Sequence, residues 1–168
     1  MHKKLDFIKS KIIWQPDENL LRLAAIWKFQ HKKVVFTNGC FDILHRGHIE
    51  YLAKAAEHGD YLIIGLNSDA SVRSIKGPGR PIVDQEARAI LLASLHFVHK
   101  VILFEQDTPY ELIKMLKPDV LIKGGDYKLS EIVGADIVKA SGGKITTVEF
   151  INGFSSTTII DKLRKQNG

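Results

Sequence analysis

Two histidines, His45 and His48, stand three residues apart around Gly47 in the stretch Thr37-Asn38-Gly39-Cys40-Phe41-Asp42-Ile43-Leu44-His45-Arg46-Gly47-His48. The stretch follows a short β-like run at 33–36 and leads into an amphipathic one, so it sits where a strand gives way to a helix. Free backbone N–H groups and the positive end of the helix dipole make a helix start attractive to a phosphate. Gly47 lets a ligand approach that backbone with no side chain in the way. Histidines at i and i+3 point to one side of the helix. Each can donate a hydrogen bond to a phosphoryl oxygen, which suits a reaction whose catalysis is mainly positioning and charge stabilisation. The same spacing also fits a surface or packing pair, or a zinc site with Asp42 as third ligand. Cys40 has no separate histidine and acid motif to make it a nucleophile and reads as a small buried residue behind the strand.

For these side chains to meet a ligand, the chain must deliver them to an open edge of a sheet. Short apolar runs at 34–37, 61–66, 101–104, 120–123 and 145–150, mostly β-branched or aromatic, alternate with helix-like stretches near 48–58, 84–96, 108–116, 129–141 and 156–165. Crossovers of this length join parallel strands in right-handed βαβ units. The expected fold is α/β: a Rossmann-like doubly wound parallel sheet of about five strands with helices on both faces. Ligands bind such sheets outside the carboxyl ends of the strands, where the histidine stretch falls. One domain over 1–168 is expected, with 1–32 as a helical N-terminal extension. Within that extension 5–14 is short and mixed, whereas 18–29 puts Leu20, Leu21, Leu23, Ala24 and Ile26 on one apolar face behind an Asp17 cap. The Gly/Pro-rich segment 74–84, SIKGPGRPIVD, reads as a mobile surface flap.

Length and composition set outer limits. With 168 residues, 45% of them hydrophobic, the chain can bury one sizeable core. No apolar stretch approaches the roughly 20 residues needed to span a bilayer, and the first residues lack the apolar core of a secretion signal. A soluble, intracellular protein is expected, in keeping with a single cysteine. The net charge of +5 and pI near 9.3 suit nucleic acid, an acidic membrane surface or small phosphorylated substrates. The absence of like-charge runs and of an aromatic-rich basic motif makes nucleic acid the weaker of these. Neither a phosphate-loop pattern nor a G-x-G-x-x-G fingerprint occurs, which leaves a phosphate-loop ATPase or a dehydrogenase without support.

Gly39-Cys40-Phe41-Asp42 followed by His45-Arg46-Gly47-His48 resembles the G-x-F-D-x-x-H-x-G-H signature of the cytidylyltransferase-like nucleotidyltransferases. Near the C-terminus, Gly153-Phe154-Ser155-Ser156-Thr157-Thr158-Ile159-Ile160 resembles the I-S-S-T-x-I-R motif that opens the last helix in that superfamily. Ile160 stands where the motif carries arginine. Within the superfamily, VVFTNGCFDILHRGH, KGPGRPI, LIKGGDY and GFSSTTII together are most similar to the heptose 1-phosphate adenylyltransferases, a resemblance running roughly from Lys33 to Leu163.

The resemblance implies transfer of AMP from ATP to a heptose 1-phosphate, releasing pyrophosphate and giving ADP-heptose for the lipopolysaccharide inner core, in the cytoplasm. His45 and His48 would stabilise the α-phosphate, and Lys76 would bridge it to the acceptor phosphate. Ser155, Ser156 and Thr157 would hold the triphosphate, with Arg88 and Lys123 supplying grip that Ile160 does not. Thr37, Asn38, Gly39, Phe41, Gly47, Gly125 and Asp126 would border the nucleotide, where glycines permit close approach and Asp126 offers an acceptor. Asp42 and Arg80 fall to the acceptor; Asp42 alternatively touches a metal-bound water or caps the following helix. Mg²⁺ is expected on the triphosphate with no protein ligand assigned. The implied partners are ATP and a sugar phosphate, with a separate sugar kinase supplying the latter because only about 30 residues precede the first strand. A homodimer is similarly implied, with neither nucleic acid nor membrane. A glycerol-3-phosphate cytidylyltransferase and a non-catalytic nucleotide-binding module are the alternatives.

Overall fold

The computed structural model of the protein describes residues 3–125, 128, 131–149, 156 and 158–160. The chain begins with α1 (Lys3–Ser10), a two-residue strand β1 (Ile12–Ile13) and α2 (Glu18–Phe29). Next come β2 (Val34–Gly39), α3 (Arg46–Ala56), β3 (Tyr61–Asn67), α4 (Asp69–Lys76) and α5 (Gln85–Ser94). The remainder supplies β4 (Val98–Phe104), α6 (Tyr110–Leu116), β5 (Val120–Gly124), α7 (Ala135–Ala140) and β6 (Lys144–Val148). Ser156 and residues 158–160 are also helical.

The strands form a six-stranded sheet in the order β1-β4-β3-β2-β5-β6, and every pairing is parallel. Five of them correspond to the expected runs. The sixth, β1, lies in the N-terminal stretch expected to be helical, where Ile12 and Ile13 pair with Val101 and Ile102 of β4. Their short backbone contact is completed by Lys11, whose C=O accepts from Val101 N–H at 3.0 Å and whose ammonium donates to Val98 C=O at 2.9 Å.

Strand alternation sends successive side chains to opposite faces, and each face is covered. Val35, Leu62, Ile64, Leu66, Val101 and Ile122 meet Tyr51 and Leu52 of α3 and Ala89 and Leu92 of α5. Phe36, Ile63, Ile102 and Leu121 meet Leu20 and Trp27 of α2, Ile113 of α6 and Val138 of α7. Strands buried on both faces explain why the runs read as continuously apolar rather than alternating. Asp17 caps α2 as expected, its carboxylate accepting from Asn19 N–H at 2.9 Å and Leu20 N–H at 3.3 Å. Among the described residues no helix is long and apolar enough to cross a membrane.

Two expected elements differ. Residues 74–76 belong not to a flap but to α4, capped by the Ser68 hydroxyl and stopped at Gly77, whose φ is 87°. Among the described residues of the helix-like stretch 129–141, α7 starts only at Ala135, because Gly134 adopts φ 83° immediately before it.

β2 is central, and its carboxyl end carries the histidine stretch. Gly65 of β3 lies beside it, where a Cβ would come within 2.8 Å of Phe36 Cζ and 3.3 Å of Asn38 Cβ. Gly65→Ala should therefore overpack the middle of the sheet and lower stability by about 1–3 kcal/mol in urea denaturation. An unchanged midpoint would show that the Phe36 ring yields without cost.

Candidate functional site

Where β2 ends, the backbone turns away from the sheet through Phe41, a non-glycine residue at φ 46°. The Phe41 ring folds back over Gly39, and a Cβ at Gly39 would lie 2.9 Å from Phe41 Cε2. The other side of the ring meets His48 edge-on, with centroids 5.2 Å apart. His45 is the N-cap of α3: its Nδ1 accepts from His48 N–H at 3.4 Å. A nitrogen that accepts a hydrogen bond carries no proton, so this cap selects the neutral imidazole protonated on Nε2. The two imidazoles stack with centroids 3.8 Å apart.

Both rings are held neutral. Burial lowers the His48 pKa to about 4, with His45 and Lys76 pushing the same way against a backbone hydrogen bond to Ile43. Burial also lowers that of His45, opposed by its own backbone bond. His48 Nδ1 is buried, with no hydrogen-bond partner among the described residues. A buried polar atom without a partner is unusual in a native fold.

The cavity these residues face has a volume of about 660 Å³ and runs along the carboxyl ends of β4, β3, β2 and β5. Of the residues singled out from the sequence, Asn38, Gly39, Phe41, Asp42, His45, His48, Lys76, Arg80, Lys123 and Ser156 line it together. Lys123, mostly buried, donates from its ammonium to Asn38 Oδ1 at 3.2 Å, and desolvation lowers its pKa. The Ser156 hydroxyl donates to Ile43 C=O at 3.3 Å. Cys40 is half-buried on the same wall rather than behind the strand, and burial raises its thiol pKa despite nearby Lys76 and Arg88. A neutral thiol is a poor nucleophile.

Four of the singled-out residues lie outside the cavity lining. Thr37 is wholly buried beneath it, its hydroxyl 2.6 Å from the Tyr51 hydroxyl. Gly47 is buried within α3, and Gly125 donates its N–H to Val148 C=O at 3.0 Å just past β5. Arg88 is 1% exposed and spends its guanidinium inside the protein, on Val83, Cys40 and Asn67 carbonyls and the Asp69 carboxylate. Asp126, Ser155 and Thr157 lie outside the described residues.

Asp42 lines the cavity but does not cap α3, whose N-cap is His45. Its carboxylate accepts from Ile82 N–H at 2.7 Å, Val83 N–H at 3.0 Å and Arg80 Nε at 2.5 Å. Among the described residues no three His, Cys, Asp or Glu side chains gather as a metal site would require. Among the described residues the zinc reading of the histidine pair thus lacks its third ligand.

Sequence reasoning missed Asn67, Asp107, Thr108, Glu131, Ile132 and Val133, all of which line the cavity. They come from three separate connections and share no local motif. The one available signal was topological, since the residues after β3, β4 and β5 must lie beside those after β2.

A parallel doubly wound sheet with a helix start, two neutral imidazoles and several cations around a crevice defines a Rossmann-like protein built for a phosphorylated ligand. The sequence pattern of the cytidylyltransferase-like family matches residues 36–162, and the chain belongs to that family. It is 58% identical over 133 residues to the bifunctional protein HldE of Nitratiruptor sp., a match covering 79% of this chain and 28% of that protein. HldE of Geobacter metallireducens is 52% identical over 154 residues, with 90% and 31% covered. The chain thus spans about a third of the length of these relatives. A crystal structure of the lipopolysaccharide core biosynthesis protein from Thermoplasma volcanium is 27% identical with a TM-score of 0.59, and the match covers 71% of this chain and 97% of that one.

The His48 environment has a measurable pH signature. Unfolded, the imidazole takes up a proton near pH 6.5; folded, it resists until about pH 4. The unfolded state therefore binds more protons between those values, and the contribution is present above pH 6.5 and is lost as pH falls towards 4. Denaturation of wild type and His48→Gln at pH 7.5 and 4.5 should show wild type losing more stability on acidification. Equal losses would mean that His48 titrates normally.

Proposed function

We propose that this chain transfers AMP from ATP to D-glycero-β-D-manno-heptose 1-phosphate, producing ADP-heptose and pyrophosphate. The observation that carries the reading is the stacked pair His45 and His48 at the start of α3, on the wall of a cavity that also presents Lys76, Arg80 and Lys123. High identity to HldE proteins supports the acceptor.

The acceptor's phosphate oxygen attacks the α-phosphorus of ATP in line. A new P–O bond forms as the bond from the α-phosphorus to the bridging oxygen breaks, and pyrophosphate leaves with that oxygen's electron pair. No covalent enzyme intermediate is needed. Charge grows on the non-bridging α-phosphate oxygens in the transition state, so donors fixed in advance lower the barrier. Neutral imidazoles donate N–H bonds without first losing a proton, and the Nε2–H form of His45 is imposed by its cap. Lys76 neutralises repulsion between the α-phosphate and the acceptor phosphate. Ser156 holds the β- and γ-phosphates, a role shared with Ser155 and Thr157.

Mg²⁺ accompanies the triphosphate and offsets its charge. The donors around the histidines are amide, imidazole and ammonium groups, which fit phosphate oxygens better than a divalent cation. The β5 side of the cavity, with Lys123, Gly124, Ile132 and Val133, takes the nucleotide, and the β3 and β4 side, with Asn67, Asp107 and Thr108, takes the sugar. A kinase supplies the sugar phosphate, the reaction runs in the cytoplasm, and the protein works as a homodimer.

Two measurements test the proposal. Pyrophosphate release with Mg²⁺, crossing ATP, CTP, GTP and UTP against the β and α heptose 1-phosphates and glycerol 3-phosphate, should be strong only for ATP with the β heptose. Release with CTP and glycerol 3-phosphate would replace the acceptor, and silence throughout would refute the enzyme. His48→Ala should lower kcat by about 10²–10³, with affinity for a slowly reacting ATP analogue nearly kept in calorimetry. Near-wild-type turnover would remove His48 from the chemistry.

A further inference from the structure

The loop after α4 is tied down at its base and open at its apex. Gly77 and Gly79 both have φ 87°, and no atom lies within 4 Å of where a Cβ would stand on either, so the apex is unpacked. The base is different. The Val83 peptide is held from both sides, its N–H donating to Asp42 Oδ1 at 3.0 Å and its C=O accepting from Arg88 Nε at 2.9 Å. Asp42 also takes Ile82 N–H and Arg80 Nε. Arg88 Nη1 reaches Cys40 C=O at 2.6 Å and Asn67 C=O at 2.9 Å, joining the segments that leave β2 and β3. Arg88 Nη2 pairs at 2.7 Å with Asp69, the first residue of α4.

Both ends of the unit that carries the cavity cations are therefore fixed. α4 starts at Asp69, held by Arg88, and ends at Lys76; the loop then passes Arg80 and returns to Val83, held by Asp42 and Arg88. The two ionic side chains doing this are among the most buried in the protein, at 2% and 1% exposure, and both carry charge-assisted bonds, which are stronger than neutral ones.

We propose that Asp42 and Arg88 are positioning residues that hold the 77–84 loop as a fixed wall of the cavity, so that Lys76 and Arg80 meet an anionic acceptor without a closing motion. Neither side chain is a ligand of the nucleotide or the sugar. The claim about the acceptor rests on the proposed function; the claim about the loop does not.

Amide hydrogen exchange tests the loop without any substrate. In the wild-type protein Ile82 and Val83 should be protected although the neighbouring apex at Gly79 is not; unprotected Ile82 and Val83 would overturn the proposal before any variant is made. Asp42→Asn keeps the shape but offers a weaker acceptor and sets an amide N–H₂ against Arg80. Arg88→Lys keeps the charge but loses the fork that reaches several carbonyls at once. Each should speed exchange at Ile82 and Val83 by about ten-fold, with the β3 amides unchanged. In steady-state assays each should raise KM for the sugar phosphate by about ten-fold and leave KM for ATP within two-fold of wild type. A raised ATP KM for Arg88→Lys with unchanged exchange would make Arg88 a triphosphate ligand. A raised acceptor KM for Asp42→Asn with unchanged exchange would make Asp42 an acceptor ligand, and either result overturns the proposal. If the chain lacks turnover altogether, the exchange measurements still decide the loop.

Discussion

A guanidinium removed from water must be surrounded by acceptors, because an unpaired buried charge is among the costliest defects a fold can carry. Arg88 finds those acceptors where parallel strands run out. The ladder between β2 and β3 ends at the Gly39–Leu66 pair, and the carbonyls of Cys40, just past β2, and Asn67, the last residue of β3, lie beyond it. One side chain satisfies both and adds Val83 and Asp69. Truncating it would strand three carbonyls, each at about 1–3 kcal/mol. The crevice in which the histidines lie opens where β2 and β5 part, since they pair only at Val35–Val120 and Phe36–Leu121, and on its other side Arg88 ties the ends of β2 and β3 together.

The charge distribution around the cavity follows a division of labour. Lysines 76 and 123 and Arg80 bring positive charge to the rim and floor, whereas the histidines at the centre stay neutral. Neutrality there is a product of packing: Phe41 covers one side of His48, His45 covers another, and burial does the rest. A site of this kind attracts an anion with its outer cations and meets it with oriented dipoles within, an arrangement that needs little reorganisation as charge shifts.

The strands β2, β3, β4 and β5 were legible because they are buried on both faces and separated by helices of ordinary length. The exceptions were short elements. Ile12 and Ile13 form too brief a strand to show any period, and their place is decided by β4, far along the chain. α4 buries only Ser71 and Val72, so it lacks an apolar stripe, although Ser68 and Gly77 were available as start and stop signals. At the site, the local cluster from Asn38 to His48 could be read because one strand-to-helix turn carries it. Arg88 was named through the family resemblance, but its burial could not be read, since charged helix residues are usually exposed and only the fold places this one behind two strand ends. Asp107, Thr108 and Glu131 escaped for the converse reason: they are loop residues whose meaning comes from adjacency, not from type.

The central position of β2 also governs the order in which the molecule can assemble. β2 pairs with β3 across one helical crossover, but its other neighbour, β5, arrives much later: Val34 N–H is held by the Asp119 carboxylate, and Asn38 by Lys123, each 85 residues along. Loop closure over such a span is entropically expensive and slow compared with local contacts. A chain emerging from the ribosome can fold the histidine turn against α3 and β3 early. The far wall of its cavity, built from β5 and the residues after it, does not exist until the later strands have docked. Ligand affinity is therefore a property of the finished sheet, and a half-made chain carries the motif without the pocket.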